Sequence, residues 1–178
     1  MIFRLAVEAS GVLPSQDIVE LAEREYAEAL NKAGELVERR IKQAFQDDGI
    51  NASGDTAEAI KASDPFRDTS SSLTVEIGVM GDRARILEYI ELGRPAGKRP
   101  PIEAIEQWIE DKGVLPEGVG IFTQRDLAFA IARKIGAEGT EGYHVFQRIS
   151  EELENDSQLF NLFQAATDRI VAALNATQ

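Results

Sequence analysis

The chain has 178 residues, enough for one domain with a closed core, and its 43% hydrophobic and 28% charged content is that of a globular protein rather than a disordered or fibrous one. With 31 acidic against 19 basic residues the formal net charge is −12, which disfavours non-specific duplex binding by the molecule as a whole, because most faces repel phosphate. There is no cysteine, hence no disulfide or thiolate metal site; no apolar run approaches the roughly 20 residues of a membrane span, and MIFRLAVEAS lacks a signal peptide's h-region and cleavage site, so the expectation is a protein made and kept in the cytoplasm.

At the start of the chain Phe3, Leu5, Val7 and Ala9 alternate with Arg4, Ala6 and Glu8, the period of two of a strand with one buried face. GVLPSQD then turns the chain. From about Ser15 to Phe45 apolar residues recur at helical spacing (Ile18, Leu21, Ala22, Tyr26, Ala29, Leu30, Ala33, Val37, Ile41, Ala44 and Phe45), which predicts one long helix. At 1.5 Å per residue it would run ~45 Å, more than a domain of this size needs to cover its own sheet, leaving part of it free to pack on a neighbour. Gly49 and Gly54 break the helix, TAEAIKAS reads as a short helical piece and DPFRDTSSS as a polar linker. The second strand is LTVEIGVMG, with Leu73, Val75, Ile77 and Val79 on one side and Thr74, Glu76 and Gly78 on the other.

DRARILEYIELG favours a short helix, with a strand as the alternative: Asp82 would be its N-cap, Ile86, Leu87 and Ile90 lie on one face, and Gly93 falls where a left-handed terminal residue belongs. A proline-led helix follows in PPIEAIEQWIEDKG, where Ile102, Ile105, Trp108 and Ile109 form one stripe assigned to the core and Gly113 marks the end. VLPEGVGIFTQ is a loop. RDLAFAIARKIGAEGT is a helix capped by Asp126, burying Leu127, Ile131 and Ile135 and stopped by Gly136 or Gly139. YHVFQRISEELE and a last amphipathic helix carrying Leu159, Phe163, Ala166, Ile170 and Leu174 complete the chain. The predicted class is α+β: a small antiparallel sheet packed against one long N-terminal helix and several shorter helices, in a single domain 1–178 whose residues 150–178 form a C-terminal helical extension.

Chemistry-bearing patterns are sparse. His144 is the only histidine, so a metal site would need carboxylates alone around it and a Ser-His-Asp triad would have to be built on this one ring; it is read instead as an ordinary packed or surface side chain. DDGINASGD lacks the spacing and terminal glutamate of a calcium loop, and GVLPEGVG lacks the glycine order of a phosphate cradle. Carboxylate-rich stretches such as ELAEREYAE and EELENDSQ read as solvated helix faces. No catalytic, metal or cofactor residue is assigned. One segment breaks the acidic pattern: between Arg83 and Arg99 five basic residues (Arg83, Arg85, Arg94, Lys98, Arg99) stand against Glu88 and Glu91.

That segment also carries a resemblance. SGDTAEAIKA, then a strand, then YIELGRPAGKRPPIEAIEQWIEDKG, then FAIARKIGAEGTEGYHVF follow the order of motifs in the neck and tail-completion proteins of tailed bacteriophages, the minor tail protein Z-like group. The matching residues are Ser53, Gly54, Ala59 and Ile60; Tyr89, Glu91, Gly93 and Pro95 of a Tyr-x-Glu-x-Gly-x-x-Pro motif; Pro101 and Trp108; Ala130 to Ile135; and Gly139 with Thr140. The resemblance covers residues 50–146 or so, and departs from the family where GTEGYHVF lacks the proline of a Pro-Phe pair.

What the resemblance implies is a structural virion component and not an enzyme. It would form a ring homo-oligomer at the head–tail junction, assembled in the host cytoplasm, contacting portal or connector and tail proteins. Genomic DNA would pass through its channel without sequence-specific binding, and no membrane would be involved. Tyr89, Glu91, Gly93, Arg94, Pro95, Lys98, Arg99 and Pro101 are then the expected subunit-interface or channel loop, with acidic helices as the complementary patch. A tail terminator or head-side connector adaptor is the alternative within the virion, and an acidic adaptor or DNA-mimic inhibitor outside it, with a hydrolase last.

Overall fold

The computed structural model describes residues 2–8, 15–50, 55–68, 72–79, 81, 83–114 and 123–176. Its elements in chain order are β1 (Ile2–Val7), α1 (Gln16–Asp47), α2 (Asp55–Glu58), β2 (Lys61–Ala62), β3 (Phe66–Arg67), β4 (Leu73–Gly78), α3 (Arg83–Leu92), α4 (Ile102–Lys112), α5 (Gln124–Glu138), α6 (Val145–Leu153) and α7 (Ser157–Ala176). The fold is α+β, with a small antiparallel sheet against the long helix α1 and shorter helices around it.

β4 is the hub of the sheet. Along one side it pairs with β1, from Ile2 opposite Gly78 to Val7 opposite Leu73. Along the other it pairs with β2 near Gly78 and with β3 near Leu73. Here the structure departs from the sequence reading: TAEAIKAS is helical only to Glu58 and then forms β2, and DPFRDTSSS, read as a polar linker, holds β3, the two making an edge strand broken at 63–65. The break has a local cause. The Ser63 N–H donates to the Glu76 carbonyl (2.8 Å), and the Ser63 hydroxyl in turn accepts the Glu76 N–H (3.0 Å), standing in for a backbone carbonyl. Pro65, which has no N–H to donate, follows at the interruption, a position an edge strand tolerates.

Strand alternation places Val75, Ile77 and Val79 on the inner face, where they share a core with Leu30, Ala33, Val37, Ile41 and Phe45 of α1. Leu30, Ile41 and Phe45 are fully buried, each contributing on the order of 1.5–3 kcal/mol relative to exposure. Val145, Phe146, Ile149 and Leu153 of α6 and Leu159 of α7 belong to the same core, so the C-terminal residues close it rather than trail from it.

The 32-residue α1, about 48 Å long, is matched along a second side by α7. Arg169 pairs with Glu25 (2.5 Å), Tyr26 meets Thr167 (3.1 Å), and Arg40 pairs with Asp156 (2.6 Å), an order that runs α7 antiparallel to α1. Much of the length that no small sheet could cover is thus covered by the chain itself. Among the described residues no helix is long and apolar enough to cross a membrane.

α4 and α5 pack on each other as a pair. α4 ends at Gly113 as anticipated, in a left-handed conformation (φ 63°), and Lys112 donates to the Gly49 carbonyl at the end of α1. α5 is capped differently from the expectation. Thr123 is the N-cap and Asp126 its reciprocal partner: the Thr123 hydroxyl takes the Asp126 N–H while the Asp126 carboxylate takes the Thr123 N–H (2.8 Å). The helix runs through Gly136 and stops at Gly139. The expected Asp82 cap, the Gly54 break and the body of the VLPEGVGIFTQ loop lie outside the described residues.

Candidate functional site: a loop ribbon and its cleft

Gly93 ends α3 with φ +78° and sends the chain back toward the α5–α6 connection. There Arg94 and Thr140 form an antiparallel bridge, Arg94 N–H to Thr140 carbonyl at 2.9 Å and the reverse at 2.8 Å. Further bonds extend the contact both ways: Gly97 N–H to the Gly136 carbonyl (2.8 Å), Tyr143 N–H to Ile90 (2.8 Å) and His144 N–H to Glu91 (3.2 Å). The approach needs glycine on both sides. A Cβ at Gly93 would lie 2.3 Å from the Thr140 carbonyl oxygen, and one at Gly139, with φ +80°, would lie 2.1 Å from that of Arg94. Two glycines that sequence reasoning treats as helix stops therefore also permit a specific loop-to-loop pairing.

Glu91 is only 2% exposed. Its carboxylate accepts the Phe146 N–H (3.0 Å) and the Gln147 N–H (3.1 Å), orphan donors of the first turn of α6. The N-cap residue of α6, His144, sits in a left-handed conformation (φ 51°) and makes no side-chain capping bond, so Glu91 supplies the cap from another helix. Of the eight residues expected to form an interface or channel loop, Glu91 and Gly93 are thus inside the subunit's own fold. Arg94 is half-buried, its guanidinium donating to the Lys98 carbonyl and lying 5.9 Å from the Tyr89 ring centroid. Tyr89, Pro95, Lys98, Arg99 and Pro101 are exposed, and the stem of Arg99 crosses α5 at Gly136.

The ribbon frames one wall of a cleft of about 920 Å³, lined by Ile86 and Tyr89 of α3, Trp108 of α4, Lys134 and Glu138 of α5, and Thr140 to Tyr143. Trp108 is 40% exposed here and not a core residue as its stripe suggested. Ile109 takes the buried position of α4, and the indole, one residue off that line, faces the cleft with Tyr89 and Tyr143. The cleft's charge is mixed, Lys134 standing beside Glu138 with Glu141 opposite. Among the described residues no three histidine or carboxylate side chains are placed to hold a metal ion.

The sequence shows the basic segment from Arg83 to Arg99 but not which cations are left without a carboxylate. Most Lys and Arg residues lie within 4.0 Å of a carboxylate of the same chain. Among the described residues, those that do not are Arg85, Arg94, Lys98, Arg99, Lys112 and Arg133, all within α3, the ribbon, α4 and α5. Arg133 lies in the Ala130 to Ile135 stretch of the resemblance, but nothing in the sequence marks it as a cation without a partner.

No family model, curated protein or solved structure matches the chain.

Proposed function

We propose that the chain is a structural protein of a tailed-bacteriophage virion that forms a ring around the DNA channel at the head–tail junction, completing the neck or tail. One observation carries this reading. The Tyr-x-Glu-x-Gly-x-x-Pro segment and the Gly-Thr turn, far apart in the chain and each part of the family resemblance, meet in a single ribbon through Arg94 and Thr140, with Gly93 and Gly139 each making room for the other's strand. Motifs that share one steric requirement are stronger support for the resemblance than the same motifs scattered over a surface.

Two surface properties fit the role. Tyr89, Trp108 and Tyr143 expose aromatic surface around one cleft, an arrangement suited to assembly contacts. A net charge of −12 would let DNA slide through a channel without the counterion release that a basic lumen would drive. Native mass measurement with negative-stain imaging of the purified protein tests the proposal. A discrete ring with an opening that admits a duplex is expected. A monomer or closed dimer at every concentration, with no opening, overturns it.

A further inference from the structure

Among the described residues, the cations without an acidic partner gather on α3, the ribbon, α4 and α5, whereas unpaired carboxylates are spread over the surface; one group of each sign stands beside an exposed aromatic ring. On α5, Phe129 is 50% exposed, with Arg133 one turn further along the same face and Gly136 one turn beyond that, where the stem of Arg99 crosses. Neither Arg133, Arg99 nor the neighbouring Lys98 has a carboxylate within ion-pair distance among the described residues. At the corner between α6 and α7, Glu151, Glu152 and Glu154 are exposed, and among the described residues none of them has a cation within ion-pair distance; Glu151 accepts from its neighbour Gln147 (3.0 Å). Phe160, 66% exposed, stands just past that corner. Between them Asp156 is paired with Arg40 (2.6 Å) within the chain.

We propose that the α5 ridge of one copy (Lys98, Arg99, Phe129, Arg133) docks on the α6–α7 corner of a second copy (Glu151, Glu152, Glu154, Phe160). The contact names the joint of the ring proposed above and rests on that reading for its partner. Opposite charge would steer the two patches together and fix their register, and the phenylalanines would provide the desolvated centre. Because the patches are unlike, a copy whose ridge docks on one neighbour can offer its corner to another, so association can run head to tail and close into a ring; a reciprocal two-fold dimer is the other arrangement the same patches allow. A polyphosphate is the weaker occupant for the ridge: it offers nothing to cover Phe129 and is repelled at long range by the remaining acidic surface.

Charge reversal tests this on exposed side chains. A ridge variant (Lys98→Glu with Arg133→Glu) and a corner variant (Glu152→Lys with Glu154→Lys) should each weaken self-association roughly tenfold or more in sedimentation equilibrium. A chain carrying all four changes should regain it, as should an equimolar mixture of the two variants. Circular dichroism checks that each variant is folded. Reversals that leave association unchanged, a four-fold variant that fails to recover, or a parent chain that never self-associates overturns the contact. Loss of binding to a short DNA duplex in the ridge variant, with self-association intact, reassigns the ridge to nucleic acid. The ring and the contact fail separately: open chains or dimers that obey the rescue leave the contact standing without a ring, and closed rings indifferent to the reversals do the opposite.

Discussion

Burying Glu91 takes a carboxylate out of water, and the two α6 N–H groups that meet it are what makes the burial tolerable. Replacing it by alanine leaves both donors without a partner at the start of a helix that carries four core side chains, Val145, Phe146, Ile149 and Leu153. Glu91→Ala is therefore expected to cost about 2–4 kcal/mol in urea unfolding, and Glu91→Gln less, because an amide oxygen still accepts one of the two bonds. A Glu91→Ala midpoint equal to that of the parent would show that α6 needs no cap from α3. Nothing local announces this role. The sequence singles out Glu91 only as part of the expected interface or channel loop, and its partners lie 55 and 56 residues away. Gly93, two residues on, was legible because a left-handed helix end is a local demand; that it also clears Thr140 was not, since that demand comes from the far side of the ribbon.

At the scale of elements, periodicity identified α1, β1, β4 and the amphipathic helices, whose patterns repeat long enough to be read. It missed β2 and β3, two residues each, which owe their strand pairing to β4 and not to any alternation of their own. α1 also holds a contact that only the structure reveals. Gly34 lies against the sheet, and a Cβ there would come 2.8 Å from Val75 Cγ1 and 3.2 Å from Ala62 Cβ. Propensity alone would make Gly34→Ala worth about 1 kcal/mol of extra stability in a helix interior. The clash opposes it, since Val75 is β-branched, fully buried and has no free rotamer to retreat into, so α1 must lift from the sheet. We expect a net loss of roughly 1 kcal/mol, reversed toward a gain when Val75→Ala is added in the same chain. A double-mutant cycle in denaturant reads the coupling directly; additive effects would mean that the helix rides far enough from β4 for the glycine to be incidental.

For the whole molecule, the acid range sets two electrostatic effects against each other. The net charge of −12 opposes compaction at neutral pH, and this repulsion fades as the pH falls toward the isoelectric point near 4.6, which favours the folded state. Against it stand carboxylates that the fold holds ionised where α1 meets α7. Glu25 is kept below the ordinary glutamate range chiefly by its hydrogen bond from Arg169, and Asp156 below that of aspartate chiefly by the Leu159 N–H and then by Arg40. A folded-state value that is depressed contributes stability above the unfolded-state value and loses it as the pH falls through the folded one, so this support disappears on the acid side. Thermal unfolding followed from neutral pH should therefore stay level or rise slightly toward about pH 5 and then fall steeply below it. Arg169→Met keeps much of the stem that lies along α7 but removes the partner of Glu25. The variant should be less stable at neutral pH and converge on the parent in acid, where the parent has lost the same bond. Two parallel curves with a constant offset would assign Arg169 a packing role only, and would leave the docking of α7 on α1 to the burial of Leu159, Ala166 and Ile170.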